Sequence, residues 1–294
     1  MSEDLAQSVA YDPARLQNLI EKMDTIPALP LVADRMLAMI EDPDINIEEV
    51  SELLTSDQAL SARILRLVNS AFFGLSQHVE SIHRAVTLVG LNSIRQICLG
   101  LVVFDMFNKD GKGSKQAVER LWKHSLCVAL AARTVARMAC CSQPDVAFTG
   151  GLLHDVGEAI LLAVSPEGVL KSVENAEQSH TSLLEAETMV LGFDHRHVGG
   201  WLVGHWKLPH PIHISVLWHH GPNAKTWETK AESDLVTAVA LGDSIANFLG
   251  LHFAKAAPDV NTNELLTALN LEASEVAEAS RELKDEVDTF YRTL

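Results

Sequence analysis

The chain has 294 residues, 47 % of them hydrophobic, and a formal net charge of −16 from 39 acidic and 23 basic side chains. That apolar share excludes global disorder, and the length allows one large domain or two ordinary ones. A surface this acidic repels phosphate backbones and anionic membranes, so neither nucleic acid nor a membrane is expected as a partner.

The opening residues MSEDLAQSVAYDP are acidic and lack an apolar stretch, which does not fit a signal peptide. Cys98, Cys127, Cys140 and Cys141 form no C-x-x-C pair, and the adjacent two are poor disulfide partners, so a reduced, cytoplasmic setting is expected. The longest apolar run, Ile97 to Phe107, contains Asp105 and is shorter than the ~20 residues of a membrane span.

Strand signals are scarce, and Gly and Pro fall between helical patterns. Val32, Met36, Met39 and Ile40 share one helical face, with Pro30 as a start and Asp42-Pro43 as a stop. Asn46 and Glu49 resemble a capping box. ALSARILRLVNSAFF is expected to run as a core-packed helix to a left-handed cap at Gly74, rather than to act as a DNA-recognition helix. SIHRAVTLVG and LNSIRQICLGLVVFDMF follow, the second capped by Asn92. The polar, aperiodic segment Asn108 to Ser114 is the best internal boundary.

Beyond it comes a long amphipathic helix over Lys115–Cys141, then GLLHDVGEAILLAV, then a helix opened by Ser182-x-x-Glu185. Others are expected over His195–Trp206, up to His219-His220, and through TAVALGDSIANFLG. Two shorter helices close the chain from Thr262, with Val276, Leu283, Val287 and Phe290 on one face. The expected fold is all-α with two helical lobes, at residues 16–110 and 115–255, flanked by extensions at 1–15 and 256–294.

Histidine is uneven: eight of 13 lie between His180 and His220. His78, His83, His180, His205, His210, His213 and His252 read as surface or capping residues. His154-Asp155 differs, because it interrupts an apolar helical pattern. A buried carboxylate is costly unless paired or bound to a cation, and imidazole with carboxylate suits iron, manganese or zinc. His124 and Asp243 also stand in apolar helices, His195 opens one, and His219 and His220 end one. Inward residues of a helical bundle are a recurrent source of dinuclear metal sites. A P-loop, a G-x-S-x-G elbow and a nucleophilic cysteine signature are all missing.

The order H…HD…H…HH…D resembles the HD superfamily of metal-dependent phosphohydrolases, its HD-GYP branch in particular. More narrowly, IPALPLVADRMLAMIEDPD, SDQALSARILRLVNSAFFG and SIHRAVTLVGLNSIRQICLGL, followed by LWKHS, GLLHDVG, LGFDHRHVG, WKLP and HH, are similar to HDOD domains. These are HD-related output domains of bacterial signalling proteins. The similarity runs from about Leu16 to His220, with Asp243 beyond it.

The resemblance implies an HD-like metal-binding bundle in the second lobe and two divalent ions, iron or manganese before zinc. His124, His154, Asp155 and Asp243 would hold the first ion; His195, His219 and His220 the second, with Asp155 bridging. His197 is the alternative to His195, which is preferred because it stands four residues before Gly199; Arg196 replaces the proline usual in HD-GYP proteins. Glu158 replaces the lysine that contacts phosphate in HD-GYP proteins, and would repel a phosphodiester or add a metal ligand. His219-His220-Gly221-Pro222-Asn223 replaces their HHE…GxGYP signature, and Arg120 stands where some trinuclear relatives carry a glutamate. These departures favour a regulatory or protein-interaction module with a signalling protein as partner. The alternatives are a metal-dependent phosphohydrolase or phosphodiesterase acting on a phosphorylated small molecule, and a redox di-iron centre. With no receiver, GGDEF or EAL segment in the chain, the input is expected from another protein or a ligand.

Overall fold

The computed structural model describes residues 11–22, 29–40, 46–70, 73–108, 115–222 and 227–292, and among them the regular structure is all helical. The first part holds α1 (Pro13–Lys22), α2 (Leu31–Ile40), α3 (Ile47–Thr55), α4 (Gln58–Val68), α5 (Ile82–Val89) and α6 (Leu91–Asn108). The second holds α7 (Lys115–Met138), α8 (Pro144–Leu153), α9 (Val156–Val164), α10 (Pro166–Ser179) and α11 (Leu183–Leu191). It continues with α12 (His195–His205), α13 (His210–Trp218) and α14 (Lys230–Phe248). The tail folds as α15 (Thr262–Leu269), α16 (Ala273–Ala279) and α17 (Leu283–Arg292), three helices where the pattern predicted two.

Local chemistry sets most boundaries. Asn46, Asp57 and Ser81 each accept a backbone N–H in the first turn of α3, α4 and α5. The helix expected to reach Gly74 stops at Val68 instead. There Asn69 donates to the carbonyls of Leu65 and Val79 (both 2.8 Å) and accepts from the Val79 N–H (2.7 Å). Such side-chain bonds offer the backbone an alternative to another helical turn. Leu60, Ile64 and Leu67 bury the inner face of α4, as a core-packed helix requires. Asn92 lies inside α6 rather than capping it. The expected stop at Asp42-Pro43, the boundary at 109–114 and Asn223 fall outside the described residues.

α7 runs through the interior, buried almost without interruption from Leu121 to Ala136. Glycines let two other helices approach it closely. A Cβ on Gly151 of α8 would come within 2.9 Å of Ala129 Cα, and one on Gly242 of α14 within 2.9 Å of the Ala132 nitrogen. At that range only hydrogen fits, so α8 and α14 meet α7 backbone to backbone.

GLLHDVGEAILLAV is not one helix. α8 ends at Leu153 and α9 starts at Val156, with His154 and Asp155 in the turn between. Asp155 has φ −99° and ψ 23°, close to the bridge region. In a continuous helix neighbouring side chains diverge by about 100°, so the break is what lets both residues face one point.

The main apolar core is a single cluster running from Leu16 to Val287, and it joins residues from both parts of the chain. Val276, Leu283 and Val287 enter it from the tail; the side chain of Phe290 lies outside the described residues. Pro144–Val164 is apolar and long enough to cross a membrane by composition, but its most apolar window is 89 % buried inside the protein.

Candidate metal centre

Five pieces of the fold converge at the C-terminal half of the structure. α7 supplies His124, the α8–α9 turn His154 and Asp155, and the first residue of α12 is His195. The turn after α13 supplies His219 and His220, and α14 supplies Asp243. Asp155 is central, and its two oxygens face different partners. Oδ2 lies 3.3 Å from His154 Nε2 and 3.5 Å from His124 Nε2. Oδ1 lies 3.3 Å from His195 Nε2 and 3.5 Å from His219 Nε2.

The remaining residues attach to this frame. His124 Nε2 is 3.3 Å from Asp243 Oδ1 and 3.2 Å from His154 Nε2. The His220 ring packs 4.1 Å from that of His219 and 5.2 Å from that of His195. Two groups of potential ligand atoms, each within 4.8 Å of one another, therefore share Asp155: His124 with His154, and His195 with His219 and His220. All seven residues singled out in the sequence meet here. His197 does not; its Nδ1 is 3.0 Å from Asp194 Oδ1 and its ring lies 4.2 Å from that of Tyr11.

The outer nitrogens explain why the inner ones point inward. His124 Nδ1 contacts the Leu251 carbonyl at 2.7 Å, and His154 Nδ1 the Gly151 carbonyl at 2.7 Å. His219 Nδ1 contacts the Ser215 and Val216 carbonyls at 3.2 and 3.0 Å. His195 Nδ1 contacts Glu187 Oε2 at 2.8 Å, and the same oxygen accepts the His195 backbone N–H at 3.0 Å. A carbonyl or carboxylate on one ring nitrogen forces the proton there and leaves a lone pair on Nε2, the arrangement that metal-binding histidines use.

The inner atoms are short of donors. Buried Asp155 Oδ1, His195 Nε2 and His219 Nε2 face one another at 3.3 and 3.5 Å, and among the described residues none of them makes a well-aligned hydrogen bond. Charge tells the same story. Burial disfavours protonated His124, yet Asp155 and Asp243 outweigh it and push the group up to about 10. Burial, then His220 and His154, push His219 down to about 3. Burial would raise Asp155, but His154, His124 and His219 hold it well below the usual carboxylate range. The pocket thus pulls positive charge onto one histidine and refuses it on another.

Glu158 does not line the neighbouring cavity, where a phosphodiester would meet it, but with Glu187 and His195 it forms a third group of potential ligand atoms within 4.8 Å of one another. It is fully buried behind His195, with Oε1 3.5 Å from His195 Nδ1. Burial and the adjacent Glu187 hold it well above its ordinary value, and burial pushes Glu187 up to about 8. The two carboxyls lie behind the cluster as a pair rather than as a repulsive wall within it.

Several residues at the site carried no sequence signal. Glu187 lies in an amphipathic helix whose pattern does not mark one glutamate as buried. Asp259, whose Oδ2 is 3.2 Å from His220 Nδ1, lies in an irregular segment 39 residues later. Asn247 donates to Asp243 Oδ1 at 2.9 Å one helical turn away, a spacing that was readable but common.

Residues 26–222 match the HDOD domain family. An uncharacterised protein of Treponema pallidum (strain Nichols) is 27 % identical over 234 residues, covering 79 % of this chain and 44 % of that protein. The chain spans less than half the length of the curated relatives it matches. Among solved structures, an HDOD domain protein of unknown function from Geobacter sulfurreducens is 26 % identical, with a TM-score of 0.79 over 94 % of this chain and 97 % of that one. A candidate signal-transduction protein from Marinobacter aquaeolei VT8 shares the fold at 21 % identity and a TM-score of 0.74, over 99 % of this chain and 68 % of that one.

Proposed function

Because the chain belongs to the HDOD family, we propose that it is a signalling output module organised around a dinuclear metal centre. The observation that carries the reading is Asp155, whose two oxygens divide between two sets of Nε2 atoms while the outer nitrogens are otherwise engaged. His124, His154, Asp155 and Asp243 would hold one ion; His195, His219 and His220 would hold the other with Asp155. The donor set of imidazole and carboxylate favours iron or manganese, with zinc next. Ligands drawn from five places in the fold would bind α7, α12, α13, α14 and the α8–α9 turn into one body. The metal state would thereby set the rigidity of the surface offered to a protein partner.

A second reading is metal-dependent phosphohydrolysis, and a cavity of about 430 Å³ beside the cluster favours it. Bound divalent ions supply Lewis acidity and an activated water. A panel of mononucleotides and cyclic dinucleotides, incubated with the manganese- or iron-loaded chain, separates the two. The output-module reading expects no turnover. Turnover that disappears in His154→Ala would transfer the assignment to the phosphohydrolases.

A further inference from the structure

Two of the candidate ligands are held from outside by one stretch of chain. The irregular segment between α14 and α15, residues 249–261, lies wholly beyond the family match. It leaves α14 at Gly250, which turns left-handed at φ +78°, while Leu251 N–H bonds the Ala246 carbonyl at 2.9 Å. This helix-ending turn reverses the chain. It brings the Leu251 carbonyl to 2.7 Å from His124 Nδ1. Further along the same segment, Asp259 Oδ2 lies 3.2 Å from His220 Nδ1.

Between those two contacts the segment is pinned. Phe253 is buried in the main apolar core. Lys255 N–H donates to Glu177 Oε1 of α10 at 3.3 Å, and Ala257 N–H to the Thr181 carbonyl at 3.0 Å. The Asp259 carboxylate has a second hydrogen-bond partner in Ser182, the N-cap of α11. Its position is therefore set by the α10–α11 pair as well as by the ring it meets.

The two histidines belong to different ligand groups: His124 stands with His154 and Asp155, His220 with Asp155, His195 and His219. An acceptor on Nδ1 keeps the proton there and leaves the Nε2 lone pair for a cation. For His124 the acceptor is a carbonyl; for His220 it is a carboxylate, which also raises the basicity of the ring. His220 depends most on such a partner. Its side chain is 14 % exposed, against 4 % or less for the other four histidines of the cluster, so packing fixes it least.

We propose that segment 251–259 is a clamp that orients one histidine for each ion, and that Asp259 is the positioning residue through which it holds His220. This rests on the metal-centre reading and adds to it a control point outside the family match.

Manganese loading of the full chain tests the clamp, read as bound equivalents and as the manganese paramagnetic resonance signal. The parent should take two equivalents. Asp259→Ala should keep the ion at His124 and hold the one at His220 about 10–100-fold more weakly. With two equivalents added, its spectrum should show isolated manganese where the parent's shows a coupled pair. Asp259→Asn retains an oxygen that can accept from Nδ1–H, so it should recover part of the lost affinity. Glu275→Ala removes an exposed carboxylate of α16 and should load as the parent does, which controls for net charge. Parental affinity for both ions in Asp259→Ala, or equal weakening of both, overturns the clamp while the metal reading stands. The same follows if Asp259→Asn loses as much as Asp259→Ala, or if Glu275→Ala does. A parent that takes up no metal overturns both.

Discussion

Glu187 is grouped with Glu158 and His195 rather than with Asp155, and it fixes His195 through two contacts on one oxygen, at 2.8 and 3.0 Å. Orienting partners of this kind typically contribute 10–100-fold to metal affinity. Glu187→Gln should therefore weaken the metal held through His195 by about 10–100-fold, with the helical circular-dichroism signal retained. Unchanged affinity in a metal titration would reduce the glutamate to a packing residue. The sequence could name His195 but not Glu187, for a physical reason. A histidine-aspartate pattern in apolar helices is rare enough to stand out, whereas a glutamate in LLEAETMVL is indistinguishable from its solvent-facing neighbours until the fold buries it. The same holds for Glu158, whose position was legible and whose surroundings were not.

At the scale of helices, the site depends on how closely elements approach. A Cβ on Gly157 of α9 would come within 1.9 Å of the His195 carbonyl oxygen and 2.9 Å of the Gly199 nitrogen. Backbone cannot yield by that much locally, so Gly157→Ala should separate α9 from α12. The separation should cost about 1–3 kcal/mol in urea denaturation and release the metal held through His195. Gly242→Ala faces the same obstacle from Ala132 and Val128 of α7, and should loosen Asp243 instead. If both variants keep parental stability and metal content, close packing does not position the site. Helix identity was readable from period and caps, and Asn46 and Ser182 do cap their helices. The break at His154–Asp155 was not readable, because an apolar run on both sides looks the same whether the backbone bends or continues.

Across the whole molecule, the candidate ligands connect parts of the chain that the sequence separates by more than a hundred residues, from His124 to Asp243. Metal bound only by the folded state stabilises it by mass action. Removing metal with a chelator should lower the melting temperature by several degrees or more, and returning manganese should restore it. A melting temperature indifferent to chelation would mean that the apolar core, continuous from Leu16 to Val287, holds the fold unaided. The all-helical class was legible from the scarcity of strand signals. Convergence was not, since spacing along a chain does not state distance across a bundle.

The most direct test of the metal centre is elemental analysis of the full chain purified without chelator, beside Asp155→Ala. The dinuclear account predicts about two equivalents of iron or manganese in the parent and a loss of both in the variant, because Asp155 faces both groups. Absence of metal from the parent, or two equivalents retained without Asp155, would contradict it.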